Sequence, residues 1–266
     1  MAPPSSSLPL QARLIKLTKS AHFVWFIGHL LTLVGSLLYV LGTLTFRAGA
    51  GAHTAAFFGA LVSYGVVIYK KHGVPQLNSA FAQRLVMDEN VQYLLLAIYW
   101  FFSPPLLVTL VPYATFSWFH ALGYIRTQLL PTVAPVAAGS TDNWQKKAQT
   151  VIAKWIDETN YKSAMRMVAQ TEVVGIMGRL ILGLFKLRIM PIFVFAQFLR
   201  FRYYMSNHTR EAFSELRANL DRLLLPPTGH PSIPPMVTKA YVTLKEMIIR
   251  YGEVVTQQAP ETQQNQ

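Results

Sequence analysis

Two uncharged blocks, Ala21 to Phe46 and Ala48 to Tyr69, stand back to back with only Arg47 between them. Each is close to the ~20 apolar residues needed to cross bilayer hydrocarbon. Inside hydrocarbon a segment must satisfy its own backbone donors and acceptors, and a single stretch of chain does so as a helix. The pair therefore predicts a tight helical hairpin. The first block follows Arg13, Lys16 and Lys19 as a signal peptide would, but it far exceeds a cleaved core of about 7–15 residues and is expected to stay as a span.

Both blocks carry small residues on one stripe: Gly28, Gly35 and Gly42 in the first, Ala55, Gly59 and Ser63 in the second. Such stripes let helix backbones touch. They suit packing of the two helices within one chain or a dimer face, which would make a homo-oligomer. Lys70 and Lys71 close the second block, and Ser79 to Asn90 reads as a short interfacial helix with Phe81, Leu85 and Val86 on one side.

The longest uncharged run, Asn90 to Ile125, would measure about 54 Å as one straight helix, too long for a ~30 Å core. A turn is expected at Ser103, Pro104 and Pro105, because consecutive prolines remove donors and push the preceding residue out of helical conformation. Val91 to Phe102 is short for a crossing, whereas Leu106 to Ile125 is long enough. Arg126 to Gln170 is the main polar stretch, and Trp144, Val151, Ile152, Trp155 and Ile156 recur there at helical spacing beside lysines, as in a headgroup-layer helix. A packed soluble helix fits that spacing too.

Thr171 to Phe201 is apolar but interrupted by Glu172, Arg179, Lys186, Arg188 and Pro191. Charges at mid-depth cost several kcal/mol unless they pair or snorkel. Two short limbs, Val173 to Phe185 and Ile189 to Phe201, are expected in place of one span. A small transporter or channel using these ionisable residues is the alternative.

His208 to Leu225 patterns as an amphipathic helix, and Pro226 to Pro235 as a linker. In Met236 to Val255, Met236, Ala240, Tyr241, Leu244, Met247, Ile248, Tyr251 and Val255 share one face, with Lys239, Lys245 and Arg250 outside it. That pattern predicts a membrane-surface helix, or one docked on a partner. The expected organisation is a disordered basic leader (1–20), a membrane-embedded helical domain (21–225) and a linker with an amphipathic tail (226–266). The fold class is all-α: a polytopic helical membrane protein with helical hairpins and interfacial amphipathic helices.

Charge and chemistry narrow the function. The 24 Lys+Arg against 12 Asp+Glu lie mostly between or beyond the apolar blocks, which favours anionic lipid headgroups over nucleic acid as partners. If each block turns back, nearly all basic flanks fall on one side, and both termini are expected to be cytosolic or nucleoplasmic. The chain has no cysteine, and its seven histidines show no metal-ligand spacing. His120 lies deep in the third region, but Tyr124 and Ile125 stand where an acyltransferase-like site would place an acid. No metal, cofactor or enzymatic activity is expected.

Three stretches carry a family resemblance: Gln76-Leu77-Asn78-Ser79-Ala80-Phe81; Tyr93-Leu94-Leu95 leading to Phe119-His120-Ala121; and Phe198-Leu199-Arg200-Phe201-Arg202-Tyr203-Tyr204 with Phe213-Ser214-Glu215-Leu216-Arg217. In this order, across roughly Ala21 to Leu225, the chain resembles the transmembrane protein 33 family, with fungal members of the nuclear-pore membrane and peripheral endoplasmic reticulum. The resemblance implies a non-enzymatic role in tubular endoplasmic reticulum and in nuclear pore distribution or assembly. It also implies reticulon-type and nuclear pore partners, and a C-terminal amphipathic helix at the position of Met236 to Val255.

Overall fold

The computed structural model describes residues 9–47, 49–76, 78–135, 144–229 and 233–256, with side chains as far as Arg250. Regular structure among the described residues is helical throughout. The chain forms two compact units, Met1–Met205 and Ser206–Gln266. Three helical stretches among the described residues, Ala21–Leu44, Ala50–His72 and Glu158–Lys186, are long and apolar enough to cross a membrane. The all-α polytopic expectation is met.

In the first unit, α1 (Leu10–Thr18) leads into α2 (Ala21–Leu44), whose start is set by Ser20 accepting from the Phe23 backbone N–H at 3.1 Å. α3 (Ala50–His72) returns beside it and stops at Gly73, whose φ of 71° lies where a side chain is disfavoured. Asn78 then caps α4 (Ser79–Val86) through the Phe81 N–H at 2.7 Å. The single interfacial helix expected over Ser79 to Asn90 is interrupted here, because Asp88 caps a new helix, α5 (Glu89–Phe102), at the Asn90 N–H.

Asp88 is also a clamp. Its Oδ2 lies 2.7 Å from both Lys71 Nζ and His72 Nε2 at the end of α3. Burial alone would raise its carboxyl pKa, but hydrogen bonds from Lys71, His72 and the Asn90 amide outweigh it and hold the pKa at about 2. A depressed carboxyl pKa stabilises the fold fully above the unfolded value near 4, and that contribution, about 2 kcal/mol, disappears as pH falls through 2. Thermal unfolding in detergent should therefore show a stability loss between pH 4 and 2 that is absent in Asp88→Asn, which is itself less stable at neutral pH.

After Phe102 the chain reverses at Ser103, Pro104 and Pro105 into a short 3₁₀ turn and α6 (Leu110–Tyr124). Helical structure continues through a π stretch, Ile125–Leu129, into α7 (Leu130–Val133). The reversal is documented by contact: Tyr113 Oη donates to the Tyr93 carbonyl at 2.9 Å, and the Tyr93 and Phe116 rings meet at 5.1 Å. α8 (Trp144–Trp155) and α9 (Glu158–Gln170) follow.

Two limbs joined by a turn form over Thr171 to Phe201, as expected, but the first is longer than the sequence predicts. α9 runs without a break through the π stretch Thr171–Ile176, α10 (Met177–Ile181) and the 3₁₀ stretch Leu182–Lys186, so the first limb begins at Glu158 instead of Val173. Glu172 does not interrupt it because the carboxylate is paired inside the unit, while Arg179 points outward and Lys186 lies at the end. Leu187, with φ of 54°, makes the turn into α11 (Met190–Met205).

Cross-contacts fix the sense of the three hairpins. The Leu106 amide donates to His53 Nε2 at 3.3 Å, which brings the second turn to the first turn of α3. Trp100 meets Phe195 at 6.2 Å, and Tyr93 meets Phe198 at 5.2 Å, which brings the third turn to the same side. Lys70, Lys71, Arg126 and Arg202 lie toward the opposite end. Arg13 also belongs there, its Nη1 donating to the Thr132 carbonyl at 2.7 Å.

In the second unit, Ser206 caps α12 (Asn207–Leu224) at the Thr209 N–H, and α13 (Pro235–Thr256) follows after the proline-rich stretch.

Candidate membrane-interaction surfaces

The α2–α3 hairpin closes on backbone contact. A Cβ at Gly28 would lie 2.4 Å from Ser63 Oγ and 2.7 Å from the Gly59 carbonyl; one at Gly59 would lie 2.5 Å from the Gly28 carbonyl. At Gly35 it would meet the Ala56 amide nitrogen at 2.6 Å and the Ala52 carbonyl at 2.8 Å. Thr32 Oγ1 adds a bond to the Ala56 carbonyl at 3.1 Å across the seam. Thus Gly28, Gly35, Gly59 and Ser63 are occupied within the chain. Ala55 and Gly42 are half-buried, and Ala56, fully buried and one residue from Ala55, makes the contact with Gly35.

The three turns present apolar side chains at one end of the unit. Phe46 (98% exposed), Phe102 (80%) and Phe185 (88%) flank the first, second and third reversals, beside Arg47, Ser103 and Lys186 respectively. Exposed aromatic rings beside a cation or hydroxyl suit the layer where hydrocarbon meets headgroups.

Between the limbs lies a buried ion-pair network. Glu172 is fully buried and accepts from Tyr93 Oη at 2.6 Å. Arg202, 6% exposed, places Nη1 at 3.1 Å from Glu89 Oε2 and Nε at 3.7 Å from Glu172 Oε2, with its guanidinium 5.3 Å from the centre of the Tyr93 ring. α5, the π stretch and α11 are tied at one point. Of the four ionisable residues that suggested a transport path, Arg179, Lys186 and Arg188 are exposed and only Glu172 is internal. They do not line one route. Sequence reasoning missed the Glu172–Arg202 pair, although a lone carboxylate in an apolar run demands a partner.

The tail helix divides its faces differently from the expectation. Tyr241 donates to Asp221 Oδ1 at 2.6 Å, and Lys245 Nζ reaches both Asp221 oxygens at 2.7 Å. Thr238 donates to the Leu224 carbonyl at 3.2 Å. Partial burial and the Asp221 carboxylate push the Tyr241 pKa up to about 12. Tyr241, read from sequence on the apolar face, and Lys245, read outside it on the same membrane-surface helix, both hold α13 against α12. The seam is polar because Thr238, Tyr241 and Lys245 follow each other at three- and four-residue spacing. Met236, Leu244, Met247 and Ile248 remain exposed at 82%, 56%, 62% and 58%. Lys239 and Arg250 are exposed as well, and the Tyr251 side chain lies outside the described residues.

His120 packs its ring 5.2 Å from Trp25 and 4.9 Å from His29. No group of three or more metal-capable His, Asp or Glu side chains occurs among the described residues. The geometry on show is therefore that of hairpins, an exposed apolar tail face and an internal ion-pair lock.

A family model described as Transmembrane protein 33/Nucleoporin POM33 matches residues 5–254. The chain belongs to this family. It is 33% identical to "Nucleoporin POM33" of Chaetomium thermophilum, over 91% of this chain and 90% of that one. It is 32% identical to "Tetra-spanning protein 1" of Schizosaccharomyces pombe, covering 92% and 88%. It is 30% identical to "Pore membrane protein of 33 kDa" of Saccharomyces cerevisiae, covering 99% and 95%. No solved structure matches the chain. The family assignment bears out the resemblance carried by the motifs around Asn78, His120 and Arg202, and with it a multi-pass protein of the endoplasmic reticulum and nuclear envelope membrane.

Proposed function

We propose that this protein organises membrane at the nuclear pore and in tubular endoplasmic reticulum without catalysing a reaction, in association with nuclear pore components and reticulon-type proteins. Two relatives named for the nucleoporin or pore membrane, matched over nine-tenths or more of this chain, support the pore. The observation that carries the mechanism is the α13 face of Met236, Leu244, Met247 and Ile248, left exposed while Tyr241 and Lys245 engage Asp221. An amphipathic helix with such a face inserts into the headgroup boundary, and nearby Lys239 and Arg250 favour anionic lipids. Insertion from the cytosolic side enlarges that leaflet and favours positive curvature.

The cellular test replaces the protein with Leu244→Glu/Ile248→Glu, which leaves the Asp221 clamp and the first unit intact. Nuclear pores should lose their even spacing, and peripheral endoplasmic reticulum should lose tubules, while the variant stays in the membrane at wild-type abundance. Wild-type pore spacing and tubule density in these cells would overturn the reading.

A further inference from the structure

α2, α6 and the α8–α9 elbow do not close on one another completely. His29 Nδ1 lies 2.9 Å from Ser117 Oγ and holds α2 to α6, and the Phe119 and Tyr161 rings, 5.3 Å apart, hold α6 to α9. Between these ties a groove of about 470 Å³ remains, floored by the small side chains of Ala114 and Ala164 and rimmed by Trp118 and Trp155. Its volume falls within the ~300–1,000 Å³ of small-molecule sites.

The chemistry of the walls selects hydrocarbon. Apart from the indole N–H groups of Trp118 and Trp155, the polar side chains in the lining are those of Thr115 and Asn160, and both donate within their own helices or elbow: Thr115 Oγ1 to the Val111 carbonyl at 2.8 Å, Asn160 Nδ2 to the Lys154 carbonyl at 2.8 Å. Among the described residues, no charged side chain lines the groove. A polar ligand would lose its hydration there without replacement, which is costly.

Position supplies the rest. Leu33, at one end, sits in the middle of a membrane-crossing helix. Trp155, at the other, adjoins the charged elbow of Lys154, Asp157 and Glu158. Asp157 caps α9 at the Asn160 N–H, and Glu158 pairs with Lys162 at 2.6 Å, while the exposed Lys154 precedes Trp155 directly. The groove thus runs from a mixed-charge mouth, where Lys154 is the cation next to Trp155, to mid-bilayer depth.

We infer that this groove binds one acyl chain of a phospholipid, with the lipid phosphate at Lys154. The site is separate from the tail face and does not depend on its membrane role. The full chain in phosphatidylcholine nanodiscs would be photolabelled with two probes bearing a diazirine at the acyl terminus, one phosphatidic acid and one uncharged diacylglycerol. Phosphatidic acid labelling of 114–119 and 155–164 should saturate with dose. Ala114→Trp and Ala164→Phe, which fill the floor, should each lower it roughly tenfold. Labelling of the outward α2 residues Leu37 and Leu38 should stay unchanged and reports that each variant is folded. Lys154→Ala should lower labelling by phosphatidic acid and spare that by diacylglycerol. Unsaturable labelling, labelling that survives in whichever filling variant retains the α2 pattern, or displacement by a diazirine sterol but not by phospholipid would overturn the acyl-chain site. Equal response of both probes to Lys154→Ala would overturn the phosphate contact.

Discussion

Gly35→Ala is expected to destabilise the membrane unit by about 3 kcal/mol, an unusual cost for a single methyl group. The new Cβ would meet backbone on both sides, the Ala56 amide nitrogen at 2.6 Å and the Ala52 carbonyl at 2.8 Å, so no rotamer change can relieve it. The helices must separate, and van der Waals contact along the whole seam weakens, which in a membrane removes much of what holds two apolar helices together. Gly65→Ala in α3 is the matched control. Nothing lies within 4 Å of a Cβ there, and replacing a helical glycine contributes about 1 kcal/mol of helix propensity. Thermal unfolding followed by size-exclusion chromatography in detergent should show a lowered Tm for Gly35→Ala and an equal or raised one for Gly65→Ala. Equal behaviour of the two would mean that the seam at Gly35 does not hold the hairpin together.

Arg202→Ala should cost about 3–5 kcal/mol, because it leaves the buried Glu172 carboxylate without its counter-charge. The damage should be non-additive. Glu172→Gln removes the charge that needs compensation, so Arg202→Met on that background should cost much less than on the wild type. A double-mutant cycle in detergent measures this coupling, expected at roughly 1–3 kcal/mol. Additive losses would mean that Arg202 acts through Glu89 alone, at 3.1 Å, and that Glu172 is held by Tyr93.

The first two spans were legible because their signal is local: an uncharged run of the right length and a stripe of small residues at helical spacing. The turn at Ser103 to Pro105 was legible for the same reason, since proline acts on its own backbone. What escaped depended on partners distant in sequence. Glu172 looked like an obstacle to a continuous helix until Tyr93, 79 residues away, proved to donate to it. Tyr241 satisfied the apolar arc by position and Lys245 the polar flank, but Asp221, across a proline-rich stretch, draws both to one side. The four-residue spacing from Gly59 picks out Ala55, whereas Ala56, about 100° round the helix from it, makes the contact with Gly35. Met236, Leu244, Met247 and Ile248 of α13 are exposed.

The proposed role of this exposed face, carried by a hairpin-rich membrane protein, is to bend bilayers. Reconstituting the full chain at increasing density into phosphatidylcholine–phosphatidylserine vesicles and imaging them by electron cryomicroscopy tests it directly. Wild-type protein should narrow the vesicles or draw them into tubules in proportion to its density, and Leu244→Glu/Ile248→Glu at equal incorporation should leave them wide. Vesicles unchanged by the wild type, or curved equally by the variant, would contradict it.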